Sequence, residues 1–278
     1  FTIELDPYSA GGFCAARDHY PWEPGGVAES PLSYQVGYWG CAAPNYIPAL
    51  ESVPPDLDCV EYRGRGGCTL LLDHLNAAFN CCAGQMGVSV TISNDTITIV
   101  EHEESAPCDC HCLFNLRYRV MNLEPRSYTV RIVEPYVWAS EEQLVFDVDL
   151  SAAPLDFRAV YRGHRYPWHY AGSFEQDTTA VEKMRRSIRE YASWYNHCDG
   201  EGECRYIGFG ASPCGGPREY IVYSTAQMDV EYFRSAVCRF NEIEYAFNRR
   251  YGVASPCVVP PVPAPGCIEG ACTDLNGD

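Results

Sequence analysis

The sequence predicts a mostly β protein with an α+β C-terminal part: an antiparallel β-sandwich, two amphipathic helices and a dense set of disulfides. Three observations carry this. Apolar and polar residues alternate in short runs between residues 88 and 150, the period becomes helical after residue 179, and sixteen of the 278 residues are cysteine. Alternation with period 2 buries one face of a strand, whereas apolar residues three and four apart line one face of a helix.

Residues 1–70 are rich in Pro, Gly and aromatics and show little periodicity. Phe1, Ile3 and Leu5 alternate before Asp6-Pro7, which reads as a short strand with a hard stop. Long loops pinned by Cys14, Cys41, Cys59 and Cys68 are expected to follow.

Residues 71–155 form the sandwich region. Val88, Val90 and Ile92 alternate with Ser and Thr, Ser93-Asn94-Asp95 turns the chain, and Thr96 to Ile99 returns. Phe114, Leu116, Tyr118 and Val120 share a face, as do Tyr128, Val130 and Ile132, and then Phe146, Val148 and Leu150. Strands at this spacing, separated by polar turns, argue for a sandwich.

Residues 156–255 read as α+β. Thr179 and Glu182 form a capping-box pair ahead of Val181, Met184, Ile188, Tyr191 and Tyr195. A second helix over 228–251 carries Val230, Phe233, Val237, Phe240, Ile243 and Phe247 and stops at Gly252. Short strands are expected at Tyr206–Phe209 and Tyr220–Tyr223. Residues 256–278 are Pro-rich and resemble a tether, with Cys267 and Cys272 bridgeable across a short loop.

A formal charge of −17 repels nucleic acid and anionic lipid, since phosphate binding needs clustered cations. No run of about 18 apolar residues is present to span a membrane. An even set of cysteines fits an oxidising compartment, and a start at Phe1 reads as a mature N-terminus. Nine cysteines precede residue 140 and seven follow it. Full pairing then requires a bridge between the halves; otherwise each half keeps a thiol.

Cys108, Cys110 and Cys112 with His111, preceded by Cys81 and Cys82, are the most metal-like group. Their parity matches Phe114 and Leu116, so they continue a buried face and read as staples. Cys198, Cys204, Cys214, Cys238, Cys257, Cys267 and Cys272 complete the disulfide set. Glu101-His102-Glu103-Glu104 lacks the spacing of a zinc protease and reads as a solvated strand end. No nucleophile elbow occurs, and no catalytic residue is assigned. Asp274, Asn276 and Asp278 have the opening spacing of a calcium loop that stops before its later ligands, so calcium is the one cofactor considered. Asn94 opens a glycosylation sequon at a hairpin tip. Tyr-Pro-Trp occurs at 20–22 and 166–168; such aromatics stack on sugars or partners if exposed and otherwise belong to the core.

The segment CRYIGFGASPCGGP at 204–217, followed by YIVYS at 220–224, resembles a family of exported bacterial proteins of unknown function. Members continue with a helix, a cysteine in "SDC" and a closing C-x-x-G-x-C. Here Pro256 stands where the aspartate would, and Cys267-Ile-Glu-Gly-Ala-Cys272 supplies the closing piece. Asn80-Cys81-Cys82, the CDCHC run and the following FNLRY and LEPRSYTV stretches are similar to a cysteine-rich β domain of uncharacterised bacterial lipoproteins and surface proteins. These resemblances imply an envelope or extracellular setting and bring no activity with them.

The expectation is therefore an extracellular or cell-surface structural protein rather than an enzyme, a subunit of a fibre or layer. Its main partner would be itself, through Phe1, Ile3 and Leu5 as a donated strand. The alternative is a monomeric binding module for a glycan or protein, including an inhibitor presenting the loop 198–217.

Overall fold

The computed structural model describes residues 33–39, 53–83, 86–103, 109–152, 154–163 and 165–276. Nine strands build a sandwich: β1 (Ser33–Trp39), β2 (Leu57–Arg65), β3 (Thr69–Asn80), β4 (Met86–Ser93), β5 (Thr96–Glu103), β6 (His111–Met121), β7 (Ser127–Val133), β8 (Leu144–Asp149) and β9 (Leu155–Tyr161). One sheet has the order β1-β6-β3-β2-β9 and the other β4-β5-β7-β8. All pairs are antiparallel except β5 with β7, which run parallel.

The sandwich core follows strand parity. Val60 and Tyr62, Leu70 and Leu72, and Leu116, Tyr118 and Val120 face Ile97 and Ile99, Val130 and Ile132, and Phe146 and Val148. In β3 the register shifts between His74 and Ala77, a bulge at which Asn76 takes φ 63°. The extra residue changes which parity faces inward, so Leu70 and Leu72 before it and Ala77 and Phe79 after it all reach the core.

The C-terminal part adds α1 (Phe174–Trp194), β10 (Cys204–Ala211), β11 (Pro217–Ser224), α2 (Val230–Tyr251), β12 (Pro265–Ile268) and β13 (Ala271–Asp274). Helix α1 starts a turn and a half before the expected capping box. Ser173 is its N-cap and accepts from the Gln176 amide, and Glu175 and Asp177 complement the positive end of the helix dipole. Thr179 therefore sits inside the helix, its hydroxyl donating to the Glu175 carbonyl at 2.9 Å. Asp229 caps α2, and Gly252 closes it at φ 59°, a left-handed position that glycine occupies without Cβ strain. No helix among the described residues is long and apolar enough to cross a membrane.

Helix α2 lies on the outer face of the five-stranded sheet, and α1 packs on α2 and β11. Leu57 and Cys59 of β2 and Phe157 and Ala159 of β9 pack with Val181, Met184 and Ile188 of α1 and with Phe233, Val237, Phe240 and Ile243 of α2. Phe209 of β10 and Tyr223 of β11 close the same cluster from the far side. Strand β2 is thus covered on both faces, which explains why 57–65, expected as Cys-pinned loop, carries no visible alternation.

Four bridges are formed by Cys81–Cys112, Cys198–Cys267, Cys204–Cys272 and Cys214–Cys257, and Cys68 and Cys82 are disulfide-bonded as well. Two expectations change. Cys267 and Cys272 face each other across the β12–β13 hairpin but bridge back to Cys198 and Cys204, so the Pro-rich segment is fastened rather than loose. The Cys198 amide donates to Gly270 and the Cys272 amide to Asn196, which aligns the hairpin with the chain leaving α1. Six of the seven late cysteines pair among themselves, so no disulfide joins the halves. Cys59 and Cys238 keep their thiols instead. Both belong to the sheet–helix seam, where burial pushes each thiol up in pKa and suppresses the reactive thiolate.

Truncating the seam should be costly. Phe240 is fully buried against Phe209, with ring centroids 4.9 Å apart, so Phe240→Ala should destabilise by about 3–5 kcal/mol in denaturant unfolding. Glu242, part-buried on α2, is pushed up from 4.5 to about 7, chiefly by burial and then by Asp156 and Glu142 against the pull of Arg158. Folding favours its protonated form, so its contribution is whole below about pH 4.5 and is lost as pH rises through about 7. Glu242→Gln should flatten the fall in melting temperature between those values.

Candidate functional site: a sealed charged layer between the sheets

At one end of the sandwich, five core-facing rows each finish in an ionisable residue. The row of Val60 ends at Asp58, that of Leu70 and Leu72 at His74, and that of Ile97 and Ile99 at Glu101. Val130 and Ile132 lead to Glu134, and Val160 leads to Arg162. The same parity that buries the apolar residues buries these. His74 lies directly before the β3 bulge, where Trp168 also anchors, its indole donating to the Asn76 carbonyl at 2.8 Å.

His74 is the centre of the layer. Its Nδ1 is 2.6 Å from Glu101 Oε1 and its Nε2 is 2.7 Å from Asp58 Oδ1, with Glu134 Oε1 at 3.9 Å. Tyr118 donates to Glu101 Oε1. The Arg162 guanidinium donates to Asp58 Oδ2, to Glu134 Oε2 at 3.0 Å and to the Glu142 carbonyl at 2.5 Å. It also lies 5.4 Å above the fully buried Trp168 ring. The side chains of Asp58, His74, Glu101 and Glu134 have no solvent exposure.

Burial favours neutral groups here, and the neighbours decide which groups comply. Desolvation works against a charged His74, yet Glu101 and Asp58 push its pKa well up. Asp58 is likewise opposed by burial, but His74 and Arg162 bring it below the ordinary carboxylate value. Glu134 goes well up, from burial and from the charge of Asp58. Burial and then Glu101 push the Tyr118 phenol well up. With nothing else in the layer, these directions favour the imidazolium at His74 and the protonated acid at Glu134. Two carboxylate oxygens, Glu101 Oε2 and Glu134 Oε1, remain buried without a hydrogen-bond partner.

Neither a protein-family model, nor a characterised protein, nor a solved structure matches this chain. Its chemistry therefore has to be argued from its own residues. Asp58, His74 and Glu134 bring one oxygen, one nitrogen and a second oxygen within 4.8 Å of one another. This is the constellation among the described residues whose atoms fit a divalent cation. Cys198, Cys204 and Cys272 are equally close but sit in disulfides.

The residues singled out from the sequence lie elsewhere. Phe1, Ile3, Leu5, Asp278, Cys14, Cys41, Cys108 and the first Tyr-Pro-Trp are outside the described residues. Asn94 is exposed at the β4–β5 turn. Asp274 Oδ1 accepts the Ala264 amide at 2.8 Å and the Asn276 amide at 3.0 Å, closing the terminal hairpin. Cys110 is half-buried before β6, its carbonyl accepting the Cys81 amide at 2.9 Å. Within the loop 198–217, Cys204–Ala211 form β10, and the segment is held through Cys198, Cys204 and Cys214. Glu101 corrects the reading of 101–104 as a solvated end: His102 is exposed, but Glu101 continues the core row of Ile97 and Ile99. The available signal was parity, an apolar alternation running straight into an acidic residue.

Arg162→Ala would strip the guanidinium that donates to both Asp58 and Glu134. Removing one partner of a buried ionic set leaves the others uncompensated, so the expected loss is about 3–5 kcal/mol by denaturant unfolding.

Proposed function

We propose that this chain is an extracellular structural protein that assembles into a surface fibre or layer. The observation that carries the reading is a strip of exposed apolar side chains held rigid by disulfides. Val258, Val259, Val262, Ile268 and Leu275 stand out to solvent, Val259 at 82% exposure, along a segment tied down at Cys257, Cys267 and Cys272. Prolines at 260, 261, 263 and 265 keep that segment extended, so little further entropy is lost when it docks. A monomer gains nothing from presenting such a strip, whereas a second copy packed on it would bury it. The disulfides support an oxidising, extracellular setting, and the sealing of the charged layer from solvent favours a structural over a catalytic role.

One observation favours the second reading, a glycan- or protein-binding module. The His111 and Tyr136 rings lie 3.9 Å apart, Tyr166 is next to them and more than half exposed, and Trp138 is exposed two residues beyond Tyr136. Such a group offers stacking faces to a sugar ring or a partner.

Sedimentation velocity and negative-stain microscopy of non-reduced protein separate the two. Self-association into ordered assemblies is expected, and the double substitution Val258→Asp, Val259→Asp should weaken it about a hundredfold, given roughly 1.5 kcal/mol per buried valine. Dispersed monomers at all concentrations would sink the assembly reading and leave the aromatic group as the working surface.

A further inference from the structure

The charged layer has one corner where three polar atoms converge and one of them has nothing to bond. Asp58 Oδ1, His74 Nε2 and Glu134 Oε1 all point into a common space, and Glu134 Oε1 is fully buried without a hydrogen-bond partner. A carboxylate oxygen in that position is costly unless something positive meets it. Each of the three side chains is also held from behind. Arg162 grips Asp58 Oδ2 and Glu134 Oε2, and Glu101, itself fixed by Tyr118, accepts from His74 Nδ1. A carboxylate behind the imidazole sets the tautomer that leaves Nε2 as the donor atom, which is the support that metal-ligating histidines ordinarily have.

We propose that Asp58 Oδ1, His74 Nε2 and Glu134 Oε1 bind one divalent transition-metal ion of the zinc class inside the sandwich. The ligand set, one imidazole and two carboxylates, suits such an ion, with bonds of about 2.0–2.2 Å. The charge also fits. With a neutral imidazole, the three carboxylates and Arg162 sum to two negative charges in a region that water does not reach, and a divalent ion cancels them. Accommodating it requires the 2.7 Å separation of Asp58 Oδ1 and His74 Nε2 to open, and the 3.9 Å separation of His74 Nε2 and Glu134 Oε1 to close, toward about 3.4 Å, the edge of a coordination tetrahedron. The adjoining β3 bulge is where the ladder is already interrupted. Because the site is sealed, the ion enters as the two sheets close and ties β2, β3 and the β7 exit together.

The test uses the whole chain with its disulfides intact, secreted into zinc-supplemented medium and purified without chelator. Metal content is read by plasma mass spectrometry. A second sample, unfolded in chelator and refolded with cobalt, is read by visible absorption. About one zinc per chain is expected, with a cobalt spectrum of nitrogen and oxygen coordination. Glu134→Gln keeps the side-chain shape and should lower zinc content about tenfold or more with an unchanged circular dichroism spectrum. Folded wild-type protein with no zinc above background would overturn the proposal, leaving protons to balance the layer. A thiolate-to-cobalt charge-transfer band would overturn it too, by placing the ion on cysteines. These readouts are independent of whether the protein assembles, so either conclusion can fail alone.

Discussion

Strand β2 of the five-stranded sheet is buried on both faces, by the second sheet on one side and by the helical layer led by α2 on the other, and much of the molecule is a response to that. In β2 every side chain from Leu57 to Tyr62 is buried, so polar residues there cannot simply face water. Asp58 enters the charged layer and meets His74 and Arg162. Glu61, on the opposite face, accepts from Ser235 at 2.7 Å and from Arg239 on α2. A one-residue slip of β2 would exchange these two environments, placing Leu57 among charges and Asp58 against α2. Such pairs are weak evidence for net stability, since desolvation offsets much of the attraction.

The two halves are coupled by packing and ion pairs. Arg250 of α2 reaches Asp56 ahead of β2 and, at 2.8 Å, Asp177 of α1, while stacking 3.9 Å over Tyr170. Glu244, almost fully buried on α2, accepts the Ala211 amide at 2.8 Å and takes Arg185 and Arg218, which pins the β10–β11 hairpin to the helix. The disulfides act on a smaller scale. Those described in the last third fasten the terminal segment to the β10–β11 unit, a region whose short strands bury little by themselves. These three links lie where the apolar core is thin, and the seam that joins sheet to helices holds two thiols instead.

Much of the architecture was legible in local pattern. The β4–β5 hairpin, β6 to β8, both helices and the β10–β11 pair all carry a period that depends only on one face being apolar. The layers of β2 and β3 were not legible, because double-sided burial erases alternation in β2 and a bulge resets it in β3. The charged layer was half legible. Each of Asp58, His74, Glu101, Glu134 and Arg162 continues an apolar row, which is visible one strand at a time.

What the sequence by itself determined is the β4–β5 hairpin, β6 to β8, the β10–β11 pair and both helices, where helix α2 stops, and that the fold is β-rich and stapled. Those features follow from backbone preference and side-chain period within a dozen residues. Only the tertiary structure decided which cysteines bridge, that Cys59 and Cys238 keep their thiols, and that four ionisable residues from four other core rows meet around His74. Pairings between residues up to about a hundred positions apart, such as Arg162 with Asp58, depend on sheet order and register, and neither is written in any local stretch of chain.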